Sequence, residues 1–497
     1  MFRISLFLLG LSLAVPSMGG GRPLYKKKHQ VNRALGEVVS APDFRSASFA
    51  FYAVDLGSGE VVGCHHPFMA LQPASTLKLL TTATALELLG PEHRFTTTLE
   101  VRERIDSAGQ VHPVDVVIRG GGDPALGSAY FPDSVDPGFL DQWVMAVRSA
   151  GIDSLEGRII GDASIFGTDL VPPTWSWQNM GQYYGAGPCG LTIYDNTYSL
   201  VLQTGDRVGD TARLVRIEPV LPLDVECRVT SDSIRYDNSY IFGAPYSLER
   251  VISGTLPLSR REFRVRGSMP DPALEAAAAL DSALEANGVA TREEGTTLRQ
   301  LAKRKEPLPP LSGRVIHTTL SPALGEIIAQ TNTHSVNLFA EHLLMHAGLA
   351  LGSVPETETA ADSALAFWKN RGMDTEGLSM HDGSGLSKYN AISPVQLVWL
   401  LGYMKNRSDY RDEFYGSMAV AGVSGTLEPL CRGTVAEGKL RAKSGTISRA
   451  KAYAGYVTSV SGREIAFSMV VNGFSGSSVE ARDKLEKLMV ALAELDK

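Results

Sequence analysis

The stretch Pro73-Ala74-Ser75-Thr76-Leu77-Lys78-Leu79-Leu80 constrains this chain more than any other. It opens an apolar helical pattern that runs to Leu88-Leu89 and stops at Gly90-Pro91. With Ser75 at the helix start, the i to i+3 spacing puts the Lys78 amine on the same face as the Ser75 hydroxyl. A serine hydroxyl is a poor nucleophile at neutral pH unless a neighbour takes its proton. A lysine can do so only when burial or a nearby positive charge lowers its pKa from about 10.4. The helix start adds N–H donors and a positive dipole end, which suit a developing oxyanion. The competing reading makes Ser75 an N-cap and Lys78 a solvated first-turn residue. Ser-x-x-Lys is common by chance, so the assignment turns on partners elsewhere in the chain.

The 497 residues are 44% hydrophobic and 8% aromatic, enough for a large core and two or three domains. The formal net charge of -7, with no extended basic run, argues against a nucleic-acid partner. Lys26-Lys27-Lys28 reads as a solvated surface feature with at most loose, peripheral contact to an anionic membrane. The N-terminus has the pattern of a secretory signal peptide over residues 1–19: Arg3, an apolar run from Ile4 to Val15, then small residues from Ser17 to Gly21. The run falls short of the ~20 apolar residues a membrane span needs. The expectation is therefore an exported protein, periplasmic or extracytoplasmic. Cys64, Cys189, Cys227 and Cys431 are too few and scattered for a disulfide framework, though one or two bridges stay open in an oxidising compartment. Neither Cys64-His65-His66 nor the His342/His346 pair has the partners of a metal site, so no metal is expected.

Taken in order, Ser46 to Asp55 and Glu60 to Gly63 form a hairpin about Leu56-Gly57-Ser58-Gly59, and the Ser75 helix follows. From about Phe95 to Ser312 the chain turns to short β-type runs broken by Gly, Pro and Asp, such as Val114 to Arg119 and Arg158 to Ile160. One clear helix lies there, with Asp271 as N-cap, Pro272 at N1 and Asn287-Gly288 as its stop. Trp175, Trp177, Tyr183 and Tyr184 cluster in this region. They fit either a pocket for the aliphatic part of a ligand, with Trp175 and Tyr183 as its wall, or simple core packing. Glu306 to Pro310 reads as a linker. Beyond it come helical patterns over Leu324 to Gln330, Val336 to Leu349 and Ala360 to Lys369, and a turn-rich loop from His381 to Ser387. A hairpin pairs Ala450 to Thr458 with Glu464 to Val471, and a final helix starts near Ser478. Its apolar stripe of Leu485, Leu488, Met489, Leu492 and Leu495 suits packing on a sheet better than lying on a membrane, because the polar face mixes both charge signs.

Two further triads supply the missing partners. Ser335-Val336-Asn337 stands at a helix entrance, and Lys443-Ser444-Gly445-Thr446 stands just ahead of the hairpin. With Ser75-x-x-Lys78, this ordered set resembles the signature of penicillin-binding proteins and serine β-lactamases. Ser75 and Ser335 are 260 residues apart, which calls for a long insertion. That spacing, with Gly-Gly-Asp-Pro at 121–124, Glu-Gly-Arg-Ile-Ile-Gly-Asp at 156–162 and Asp-Gly-Ser-Gly-Leu-Ser at 382–387, is similar to class C, type-4 penicillin-binding proteins. Those are D-alanyl-D-alanine carboxypeptidases and endopeptidases.

The resemblance implies an α/β transpeptidase-like domain, an antiparallel sheet flanked by helices, over residues 22–95 and 311–497. Residues 96–310 would form a β-rich insertion of one or two small domains, the two nested in each other. It implies cofactor-free cleavage of peptidoglycan stem peptides and acylation by β-lactam antibiotics. Ser75 would attack the penultimate D-alanine carbonyl, Lys78 would accept its proton beside the charge of Lys443, and Ser335 would relay a proton to the leaving group. Asn337 would bind a substrate amide and steady Lys78. Lys443, Ser444 and Thr446 would bind the terminal carboxylate region, and Gly445 would leave the strand edge bare for substrate. Val336 stands where Asp is common and Ser444 where Thr is commoner, and both departures keep the functional groups. A β-lactamase or esterase on the same scaffold, and a non-catalytic wall-binding protein, are the rival readings.

Overall fold

The computed structural model describes residues 29–132, 138–308 and 313–496. The leader at 1–19, the lysines at 26–28 and the Pro309-Pro310 end of the linker lie outside them. The two ends of the chain meet in one six-stranded antiparallel sheet, ordered Ala419–Val420, Leu440–Ile447, Ala450–Thr458, Glu464–Asn472, Ser48–Asp55 and Val61–His65. Its central strands are apolar on both faces, as a sheet covered on both sides requires. Along Ala450–Thr458, Tyr453 and Val457 enter one core while Ala454 and Tyr456 enter the other.

Helix Ser478–Ala493 covers the first face, and its stripe of Leu485, Leu488, Met489 and Leu492 is buried in that core. The stripe is thus a packing surface, as its mixed polar face indicates. Helices Lys78–Leu89, Asn337–Ala350, Thr357–Asn370 and Pro394–Asn406 form a second core on the other face. Lys78–Leu89 is central to this layer, with every residue from Lys78 to Leu86 buried.

Between the two halves, a five-stranded sheet runs in the order Thr296–Thr297, Ile159–Asp162, Val111–Gly120, Thr96–Ile105 and Arg314–Leu320. Its last pair joins the outgoing chain to the returning one, so the pairing extends beyond residue 311. Two three-stranded sheets within this segment close a smaller core around Tyr198, Leu200, Ile241, Ile252 and Leu256. Helix Pro272–Ala286 has the ends its sequence announces, with an Asp271 carboxylate oxygen accepting from the Leu274 N–H.

A second helix, Phe139–Ser149, departs from the expectation of short β-type runs. Phe139, Trp143, Val144 and Val147 form its buried stripe, but Gly138 supplies no capping side chain to mark its start. No disulfide links the cysteines among the described residues. His342 and His346 are buried and hydrogen-bonded, which is the satisfied-histidine reading. Among the described residues, no helix is long and apolar enough to cross a membrane.

Candidate active site

The chain enters the buried helix through a 3-10 turn, Ala74–Leu77, and α-helix begins only at Lys78. In a 3-10 turn, residues i and i+3 eclipse, so Lys78 stands directly over Ser75. The Lys78 Nζ lies 3.0 Å from Ser75 Oγ, 2.6 Å from Asn337 Oδ1 and 2.7 Å from the Ser384 carbonyl oxygen. The amine is fully buried, and burial brings its pKa down to about 7 against the opposing pull of Glu341 and Asp382. A neutral amine has two N–H donors and one lone pair. Asn337 Oδ1 and the Ser384 carbonyl can only accept, so they take the two donors. The lone pair is left for the Ser75 hydroxyl.

Two buried carboxylates hold the Ser384 carbonyl in place. Glu341 accepts from the N–H groups of Gly383 and Ser384 at 2.9 and 2.8 Å. Burial pushes the Glu341 carboxyl upward, and the nearby Asp382 adds to the push. Asp382 accepts from Gly385 N–H, Ser387 N–H, Asn390 Nδ2 and Trp175 Nε1. The loop from Asp382 to Asn390 is therefore wound around one carboxylate.

Ser335 stands at the break between two helices, left-handed at φ 62°, and Asn337 begins the next helix. Asn337 presents its Oδ1 to Lys78 and donates from Nδ2 to the Tyr184 carbonyl at 2.7 Å. On strand Leu440–Ile447, the two-residue period turns Lys443 and Gly445 toward the Ser75 turn. Burial, helped by the charge of Lys78, holds the Lys443 amine well below its ordinary pKa; its Nζ donates to the Ser444 carbonyl. Ser444 does not front the site. Its hydroxyl is engaged elsewhere, donating to Thr426 Oγ1 at 2.8 Å.

Gly445 differs from expectation in what its bare face meets. A Cβ there would lie 2.7 Å from the Pro73 carbonyl and 3.0 Å from the Ser75 nitrogen, so the missing side chain admits the Ser75 turn rather than substrate. On the opposite side, a Cβ at Gly385 would lie 2.0 Å from the Ala74 carbonyl oxygen, and Gly385 has φ 83°. Ser75, Ser335, Asn337 and Thr446 front a cleft of about 530 Å3, with Lys78 and Lys443 buried behind it.

Residues 31–495 match the model of the D-Ala-D-Ala carboxypeptidase 3 (S13) family. The chain belongs to this family. The D-alanyl-D-alanine carboxypeptidase of Actinomadura sp. (strain R39) is 28% identical, over 98% of this chain and 88% of that protein. The D-alanyl-D-alanine carboxypeptidase DacB of Haemophilus influenzae is 21% identical, over 93% and 97%. The crystal structure of penicillin-binding protein 4 (dacB) from Haemophilus influenzae superposes with a TM-score of 0.76 at 19% identity, covering 93% of this chain and 98% of that one, which fixes the fold. This S13 chain is thus a serine-type D-Ala-D-Ala carboxypeptidase with a transpeptidase-like α/β fold.

The aromatic cluster of this S13 enzyme divides between the two roles considered for it. Trp175 is 3% exposed, donates to Asp382 at 2.7 Å and is absent from the cleft wall, so it is core. Tyr183 is 43% exposed and lines the cleft, with the Arg266 guanidinium 4.3 Å from its ring centre. Glu341, Asp382 and the Ser384 carbonyl escaped sequence reasoning. A backbone acceptor has no sequence signature. Glu341, however, lies four residues after Asn337 on a helix read from the sequence, which puts both on one face.

Two outcomes follow from this packing. Gly385→Ala drives a methyl group into the Ala74 carbonyl and is expected to slow penicillin acylation by about a hundredfold, as a displaced reacting group does. Stopped-flow acylation kinetics beside a thermal melt test this, and an unchanged rate would show that the Ser75 turn tolerates displacement. Trp175→Phe leaves the buried Asp382 one donor short and should cost about 1–3 kcal/mol in chemical denaturation while stem-peptide discrimination stays unchanged. A change in discrimination with full stability would return Trp175 to the pocket.

Proposed function

We propose that Ser75 is the nucleophile of a D-Ala-D-Ala carboxypeptidase and endopeptidase acting on peptidoglycan stem peptides outside the cytoplasm. The observation that carries this reading is the Lys78 amine, which is fully buried, close to neutral pKa, and satisfied so that its lone pair faces Ser75 Oγ. Ser75 Oγ attacks the carbonyl carbon of the penultimate D-alanine while its proton passes to Lys78 Nζ. The N–H groups of Ser75 and Thr446, both at the cleft, hold the oxyanion. Collapse breaks the C–N bond, and the proton taken up by Lys78 passes through the Ser335 hydroxyl to the departing amine of the terminal D-alanine, which leaves both residues as they began. Water then hydrolyses the Ser75 ester, releasing the shortened peptide.

Asn337 orients Lys78 and a substrate amide, and the buried Lys443 amine lies behind the carboxylate end of the substrate. The reading assigns residues 22–95 and 311–497 to the catalytic domain, with its returning boundary moved past Leu320 because strand Arg314–Leu320 pairs into the sheet of the intervening segment. Residues 96–310 form an insertion of two nested parts, whose Tyr183 and Tyr184 wall the cleft. The leader pattern at residues 1–19 supports export. A relative described as penicillin-binding protein 4, solved in complex with a β-lactam, supports acylation of Ser75 by such compounds.

Intact-protein mass spectrometry after mixing with benzylpenicillin tests the nucleophile. A single persistent adduct, absent in Ser75→Ala, is expected. An adduct that clears within seconds would instead mark a β-lactamase, and no adduct would remove Ser75 from this role. The pH profile tests the base. Lys78 must be deprotonated to accept the proton, so the acylation rate should rise with pH through a limb near 7, where its pKa lies. Lys78→Arg, a cation that keeps its proton, should lower the rate by about 10²–10⁴. A flat profile between about pH 5 and 9 would assign the proton transfer elsewhere.

A further inference from the structure

We propose that Trp177, Phe242 and Tyr240 form a saccharide-binding ridge that holds the glycan of peptidoglycan beside the peptide cleft; this rests on the peptidase reading above. Trp177 is 54% exposed at the start of the short helix Trp177–Met180, and its ring stacks on Phe242 with centroids 6.3 Å apart and an interplanar angle of 26°. Phe242 in turn lies 6.5 Å from Tyr240, itself 36% exposed. Both sit on Asn238–Phe242, the edge strand of a three-stranded sheet, where Ser239 and Ile241 point inward and Tyr240 and Phe242 outward. The small core beneath takes Ile241 and is complete without the three rings.

The ridge is rigid. A Cβ at Gly181 would lie 2.2 Å from the Ile241 carbonyl oxygen, so the backbone after the Trp177 helix rests directly on the strand that carries the other two rings. Trp177 and Tyr240 are exposed and Phe242 is half-buried between them, and clustered apolar surface of this kind outside the core marks a binding site. Tyr240 also lines the catalytic cleft, so the ridge continues the wall that Tyr183 and Tyr184 begin.

Position and chemistry choose the occupant. A four-residue stem extended from Ser75 reaches about 14 Å, and beyond that peptidoglycan continues as a saccharide strand. A pyranose ring presents C–H groups on its faces and hydroxyls around its rim. Flat aromatic faces suit the first, and the amides of Gln178 and Asn179, which line the adjoining cleft, suit the second. The net charge of -7 disfavours an anionic lipid surface.

The test uses the full mature chain carrying Ser75→Ala, so that nothing turns over, and measures its capture on beads that carry glycan strands stripped of all stem peptides. Binding is expected, with Trp177→Ala about ten-fold weaker and Phe242→Leu, which keeps the apolar volume and removes the ring, weakened in the same direction. In the otherwise native enzyme, Trp177→Ala should leave penicillin acylation and cleavage of a short soluble peptide within about two-fold of wild type, while D-alanine release from intact peptidoglycan falls about ten-fold. The proposal is overturned if the stripped glycan is not bound, if ring removal leaves binding unchanged, or if phosphatidylglycerol vesicles capture the chain equally well. Acylation is scored separately, so loss of the peptidase reading would show there and not in the glycan binding.

Discussion

The whole site depends on removing one amine from water. Lys78 is buried in a helix whose other residues through Leu86 are buried with it, so its charge has no solvent to stabilise it. The cost is offset only in part, because every close partner of the amine is an uncharged oxygen. The nearest carboxylates, Glu341 and Asp382, already accept backbone N–H groups. A tighter ion pair would have kept the lysine protonated and useless as a base. The placing of the acids behind the Ser384 carbonyl, rather than on the amine, leaves the proton exchangeable near neutrality.

The same arrangement binds the inserted segment to the catalytic layers. Helix Asn337–Ala350 carries Asn337 and Glu341 toward Lys78, while His342 and His346 meet the insertion. His342 contacts Thr192 and the Cys189 carbonyl; His346 contacts the Gly122 carbonyl and stacks on Phe95 at 4.1 Å. Burial holds both imidazoles neutral, with pKa values near 4 and 3. Asn337 itself donates to the Tyr184 carbonyl, and Asp382 takes Trp175. The insertion is thus wired to the groups that position the base, and is more than a lid beside it.

What the sequence could reveal tracks the kind of signal each feature leaves. The helix at Pro272–Ala286 was legible because Asp271, Pro272 and Asn287-Gly288 are local signals that need no tertiary context. The hairpins were legible through alternation and turn residues. The catalytic triads were legible because three short patterns coincided in one order. Helix Phe139–Ser149 was not, since it lacks a side-chain cap and lies among β-type runs. Helix Pro394–Asn406 carried an unread signal in Ser393 and Gln396, the two positions of a capping box, with Pro394 at N1. Glu341, Asp382 and Trp175 were invisible as a group because residues 175, 341 and 382 meet only in three dimensions.

Gly445 shows why residue type alone misassigns a role. A bare position on a strand fits both a substrate backbone and a neighbouring turn, and sequence cannot distinguish them. The structure places Pro73, Ala74 and Ser75 against it, with Gly385 closing on Ala74 from the other side. Ala74 is itself left-handed at φ 47°, a conformation a non-glycine residue keeps only when its surroundings enforce it. The Ser75 turn is therefore clamped between two glycines. The close approach at Gly445 also brings the Ser75 turn against strand Leu440–Ile447, and both Ser75 and Thr446 line the cleft. The spacing between the Ser75 turn and the strand is thus set by atoms that are missing.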